Sequence, residues 1–94
     1  MPLNIKFIGA LRHISGKTQL TVNCQGSISL KTLLSKLSQE FPSLEKSFND
    51  QQLNDSRSNA LILVNGREIS VLSGLETKLN DGDEIVFVPV VHGG

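Results

Sequence analysis

The chain has 94 residues, enough for one domain with a single core. Nine Lys+Arg against nine Asp+Glu leave no net charge, which speaks against a broad nucleic-acid footprint. One Cys excludes an internal disulfide, a four-cysteine zinc site and a cysteine-ligated iron–sulfur cluster, and His13 and His92 lack metal-ligand spacing.

In chain order, Leu3, Ile5 and Phe7 alternate with Asn4 and Lys6, the period of a half-buried strand running to Ile8. Gly9 and Gly16 bound a stretch that reads as a broad turn. A second alternation sets Leu20, Val22 and Cys24 against Gln19, Thr21 and Asn23, completing an N-terminal hairpin. The period then changes: Leu30, Leu33, Leu34, Leu37 and Phe41 form one apolar stripe of an amphipathic helix. Ser29 suits its N-cap and Pro42 its end. Leu44 and Phe48 would anchor one more short turn, and Asn49 to Asn59 read as an exposed loop.

Ala60–Val64 reads as a strand apolar on both faces. Asn65-Gly66 predicts a type I′ turn, which needs two positive φ angles, and Arg67–Ile69 the return strand. Asp81-Gly82-Asp83 makes a second tight turn before the last strand, Glu84–Val88. The two aspartates suit that turn better than an acid–base site. The order β-β-α-β-β-β with one main helix predicts an α+β fold, a mixed sheet with the helix on one face in the β-grasp layout. The whole chain, 1–94, then forms a single domain with a flexible tail over 89–94.

That tail is Pro89-Val90-Val91-His92-Gly93-Gly94. Glycine has no Cβ, so a Gly-Gly end is the narrowest polypeptide available to thread a channel in a partner. A terminal carboxylate on Gly94 is anionic at neutral pH and able to attack the α-phosphate of ATP.

A β-grasp domain ending in Gly-Gly resembles the ubiquitin-like proteins, and among them the prokaryotic sulfur carriers of the MoaD and ThiS type. The resemblance takes in Gly9-Ala10-Leu11-Arg12, the helix and Val64–Ile69. Its specific part is the block from Leu79 to Gly94, where Leu79-Asn80-Asp81-Gly82-Asp83-Glu84 matches the family's turn ahead of an apolar strand and Gly-Gly. The resemblance implies that an ATP-dependent adenylating enzyme activates Gly94 and that sulfur then replaces AMP, giving a thiocarboxylate. In MoaD-like members the tail enters the large subunit of molybdopterin synthase and donates sulfur to the pterin precursor of the molybdenum cofactor. The chain would then be a reactant and a small subunit, with no cofactor of its own, ATP used by the partner, and catalytic groups on the partners. MoaD-like tails commonly carry a small residue before Gly-Gly, whereas His92 resembles the eukaryotic ubiquitin-related modifier, a carrier for tRNA thiolation that also conjugates to lysines. A non-reactive β-grasp interaction module is the third reading.

Val91, His92 and Gly93 are therefore the expected channel segment and Gly94 the reacting residue. Ile85 and Phe87 share one face of the last strand, Val86 and Val88 the other. With a helix on one face only, Ile8, Val86 and Val88 form an expected docking patch unless Leu72 or Leu75 covers it. Cys24, in phase with Leu20 and Val22, is expected to be a buried, inert thiol, and no motif supports a Cys24–His13 nucleophilic pair. No apolar stretch approaches the roughly 20 residues of a membrane span, and the N-terminus carries no signal-peptide pattern. The expectation is a cytoplasmic protein with neither membrane nor nucleic-acid partners.

Overall fold

The computed structural model describes residues 2–24, 26–44 and 60–89. Five strands form the main sheet: β1 (Leu3–Phe7), β2 (Gln19–Val22), β4 (Ala60–Val64), β5 (Arg67–Glu68) and β7 (Glu84–Pro89). Their order is β2-β1-β7-β4-β5, with β1 and β7 parallel and the other neighbours antiparallel. Two short strands, β3 (Ile28–Ser29) and β6 (Lys78–Leu79), pair separately. The helices are α1 (Ala10–Ser15) and α2 (Leu30–Glu40), and 3-10 turns run over Pro42–Leu44, Ile69–Val71 and Gly74–Glu76. This is the expected α+β, β-grasp arrangement of a mixed sheet under one main helix.

The helix forms as its stripe predicts. Ser29 caps it, its Oγ accepting from the Thr32 backbone N–H at 3.1 Å. Leu30, Leu33, Leu34 and Leu37 are fully buried, each contributing about 1.5–3 kcal/mol of apolar burial. They meet Leu3, Ile5, Phe7, Ile62, Ile85 and Phe87 from one face of the sheet. Phe7 stacks on Phe87 with centroids 5.6 Å apart and meets the Phe41 edge at 6.4 Å. Among the described residues no helix is long and apolar enough to cross a membrane.

Three expectations change. The stretch between Gly9 and Gly16 is the helix α1 rather than a broad turn, since Leu11 is buried and left-handed Gly16 closes the turn by donating to the Arg12 carbonyl at 2.8 Å. The second strand stops at Val22, short of Cys24. Val22 pairs with Leu3, the first residue of β1, and the preceding Pro2 has no N–H to extend the ladder. Ile69 turns inward at the start of a 3-10 turn, where it is buried, instead of continuing β5. Phe48 and the loop of residues 49–59 lie outside the described residues.

The Asn65-Gly66 turn has both φ angles positive, 51° and 84°. The Asn65 side chain also ties this turn to the one before β7. Its Nδ2 donates to Asp83 Oδ1 at 3.0 Å and its Oδ1 accepts from the Glu84 N–H at 2.9 Å. Asp83 Oδ2 in turn accepts from the Asn80 N–H at 2.8 Å, so this carboxylate organises the turn, as expected. Replacing Asn65 by Gly keeps the backbone and removes both side-chain bonds, an expected loss of about 1–2 kcal/mol. Asn65→Ala adds a left-handed cost of about 1–2 kcal/mol more. Urea midpoints at a constant m-value should rank wild type above N65G above N65A.

Candidate functional site

The site is built where β7 leaves the sheet. β7 lies between β1 and β4, and its last residue, Pro89, pairs with Ala60. Pro89, expected as the first tail residue, therefore belongs to the sheet. Val91, His92, Gly93 and Gly94 lie outside the described residues.

On the other side of Pro89 stands Gly9, at φ 59° and ψ −134°, the mirror image of the β region, which glycine enters at no steric cost. A Cβ added there would sit 3.0 Å from Pro89 Cγ. The Ile8 N–H donates to the Phe87 carbonyl at 3.0 Å, carrying the parallel ladder one step beyond β1. Backbone pairing on one side and the bare Gly9 Cα on the other thus fix the position of Pro89.

The register also places the side chains of the second sheet face. Lys6 lies opposite Val86, Val86 opposite Leu63, and Val88 opposite Leu61. Val86, Val88, Leu61 and Leu63 are half-buried, and Ile8 is 44% exposed. Leu72 and Leu75, the residues weighed as a cover, pack instead against the core beneath α2. No described helix lies over this second face, so the described residues leave Ile8, Val86 and Val88 together and uncovered. Leu61 and Leu63 join them, and sequence reasoning missed both. Their signal was the Ala60–Val64 strand, apolar on both faces. Beside the patch, Lys6 Nζ meets Glu84 Oε2 at 3.0 Å, an exposed pair that adds little stability.

The remaining candidates do not assemble. His13 is exposed on α1, whereas Cys24 follows the far end of β2, so the two cannot act as a pair. Cys24 is half-buried at the core margin rather than buried within it, with its thiol directed to the Gly26 carbonyl at 3.3 Å. The described residues contain no group of three metal-ligating side chains.

A mixed five-stranded sheet with β1 and β7 parallel at its centre and one main helix packed on one face defines a ubiquitin-like β-grasp protein. The chain belongs to the ThiS family, whose model matches residues 5–94. It is 32% identical over 100 residues to the ubiquitin-related modifier 1 of Schizosaccharomyces pombe, covering 100% of both chains. It is 29% identical over 93 residues to a molybdopterin synthase sulfur carrier subunit of Mycobacterium tuberculosis, covering 98% of this chain and 96% of that protein. Among solved structures it resembles Urm1 from Trypanosoma brucei with a TM-score of 0.79 at 26% identity, covering 99% of this chain and 95% of the other. Ubiquitin-like sulfur carriers and modifiers are thus its family.

Gly9→Ala should cost about 1–3 kcal/mol, since it adds backbone strain to the approach of Pro89. Thermal unfolding checks the loss. Amide shifts at Phe87, Val88 and Pro89-adjacent residues should move with it, and a G9A protein indistinguishable from wild type would remove Gly9 from this role.

Proposed function

We propose that this protein is a sulfur carrier whose reacting group is the carboxylate of Gly94. The observation that carries the reading is the family match through residue 94, on a sheet whose central strand ends at Pro89 with five residues left. Five extended residues span no more than roughly 17 Å, so Gly94 enters a partner's active site only if the domain docks close to its mouth. The open face of Ile8, Leu61, Leu63, Val86 and Val88 is the apolar surface suited to that docking.

In the chemistry proposed, a Gly94 carboxylate oxygen attacks the α-phosphorus of ATP in an adenylating partner and pyrophosphate leaves. Hydrosulfide, or its equivalent held by the partner, then attacks the activated carbonyl carbon and AMP leaves, giving the thiocarboxylate. Val91, His92 and Gly93 line the way in, with Gly93 keeping the chain narrow beside the reacting atom. The described part of the domain supplies recognition and placement, while the acid–base and phosphate-binding groups belong to the partner.

For the recipient of the sulfur, the relative described as a molybdopterin synthase carrier subunit supports delivery to the pterin precursor, in the large synthase subunit. His92 before Gly-Gly and the likeness over the whole chain to a ubiquitin-related modifier support a second route. In it the sulfur goes to tRNA, or a lysine amine attacks the activated Gly94 carbonyl to form an amide and the sulfur leaves. Deleting the gene separates them: loss of molybdenum-cofactor activity supports the first, and loss of tRNA thiolation or of protein adducts the second.

Intact-mass measurement after incubation with ATP, a sulfur source and the cell's adenylating enzyme tests the carrier step itself. The expected shift equals exchange of one oxygen for sulfur and disappears when Gly93 and Gly94 are deleted. Val88→Glu places a charge in the docking face and should raise the enzyme's KM for the carrier at least about tenfold, because an unpaired carboxylate would be buried against an apolar partner surface. A folded V88E protein with unchanged KM would remove this face from docking. Absence of both adenylate and thiocarboxylate with a competent enzyme would leave the interaction module standing.

A further inference from the structure

A second surface lies at the same end of the sheet as Pro89. Arg12, His13, Gly16, Lys17 and Thr18 line an open depression of about 420 Å³. A neighbouring one of about 340 Å³ is lined by Lys6, Ile8, Gly9, Arg12 and Thr18 among others. The two share Arg12 and Thr18 and so adjoin, an open groove that reaches Gly9 beside Pro89.

The groove is basic. Lys6 is engaged with Glu84, but Arg12, His13 and Lys17 are exposed and make no ion pair among the described residues. The neutral total charge of the chain conceals this local excess. The groove's Ile8 end is continuous with the apolar face, and Lys6 stands directly opposite Val86.

We propose that this groove docks carboxylates on the rim of the activating enzyme's channel, an inference that rests on the carrier reading above. Two features favour a protein rim over a nucleic-acid backbone. Arg12 shares its depression with Ile8, one end of the apolar face, which a chain of phosphates would leave uncovered but a protein surface with an apolar centre and a charged rim would bury. The groove also opens at Gly9, so whatever fills it sits within tail's reach of the reacting carboxylate. Exposed rim charges of this kind steer encounter and set salt dependence.

The test compares wild type with Arg12→Glu/Lys17→Glu, using both direct titration of the adenylating enzyme and initial rates of pyrophosphate release. Lys31→Glu/Lys36→Glu, on the exposed side of α2, makes the same change of total charge elsewhere. At about 50 mM salt the groove variant should bind at least tenfold more weakly and show a KM raised to match, with kcat within about twofold. At about 500 mM salt the difference should shrink below threefold, because screening shortens to a few ångströms. An affinity within about twofold of wild type at low salt overturns the proposal, as does an equal loss in the α2 variant. Charge-dependent binding without any acyl-adenylate retains the groove and overturns the carrier reading. Adenylation with charge-indifferent binding does the reverse, and no binding of the enzyme overturns both. A parallel titration with mixed tRNA covers the other polyanion: if only RNA affinity falls in the groove variant, the groove belongs to phosphates and the proposal fails.

Discussion

The parallel pairing of β1 with β7 is the constraint on which the rest of this molecule depends. No tight turn can join parallel neighbours, so everything between Phe7 and Glu84 must form a crossover that returns the chain to the same side. The main helix α2 belongs to that crossover, and its leucines are buried because the return path runs over one sheet face. The same pairing sends the ends of β1 and β7 out at one pole. Gly9, α1 and the root of the tail are therefore neighbours by topology, though about eighty residues separate Gly9 from Pro89. Phe7 stacked on Phe87 is the packed expression of this pairing.

From it follows a division of labour between the two faces. The helix side is closed: Leu30, Leu33, Leu34 and Leu37 have no exposure beyond 1%, and no buried polar side-chain atom among the described residues lacks a hydrogen-bond partner. Among the described residues the other side keeps Ile8, Leu61, Leu63, Val86 and Val88 at its surface, with Lys6 and Arg12 beside its Ile8 end. A stable core and a surface left incomplete suit a domain whose task is to be recognised. Under the proposed function the reacting atom is a backbone carboxylate, so the scarcity of catalytic side chains is a property of the design. The sheet then acts as a handle that holds the tail at a defined distance from its docking surface.

Much of this was legible because it rests on period and turn chemistry. The leucine stripe, the Ser29 cap, the two-positive-φ turn at Asn65-Gly66 and the alternation of β7 each have a local cause, and each formed as local rules require. What stayed hidden depends on partners distant in sequence. β2 ends at Val22, before Cys24, because β1 begins at Leu3 and Pro2 has no N–H to pair, which no window around Cys24 can reveal. Helix α1 carries too few apolar residues to show a period, and the β3–β6 pair is too short for one. Leu61 and Leu63 lacked a contrast: a strand apolar on both faces does not say which face is open. Lys6, Arg12 and Lys17 share no local pattern in the sequence and come to adjoining depressions only when β1, α1 and the turn into β2 fold together. Val91 to Gly94 stand on their sequence and on the family match, outside the described residues.

Under the proposed function recognition and reaction are separable, one held by the folded domain and the other by Gly93 and Gly94. Competition measures this directly. A chain lacking Gly93 and Gly94 should inhibit activation of the wild-type carrier competitively, with an inhibition constant close to the wild-type KM. The same truncated chain carrying Val88→Glu should inhibit far more weakly. If the truncated chain does not compete, the tail itself provides the recognition, and the account of the domain as a docking handle is contradicted.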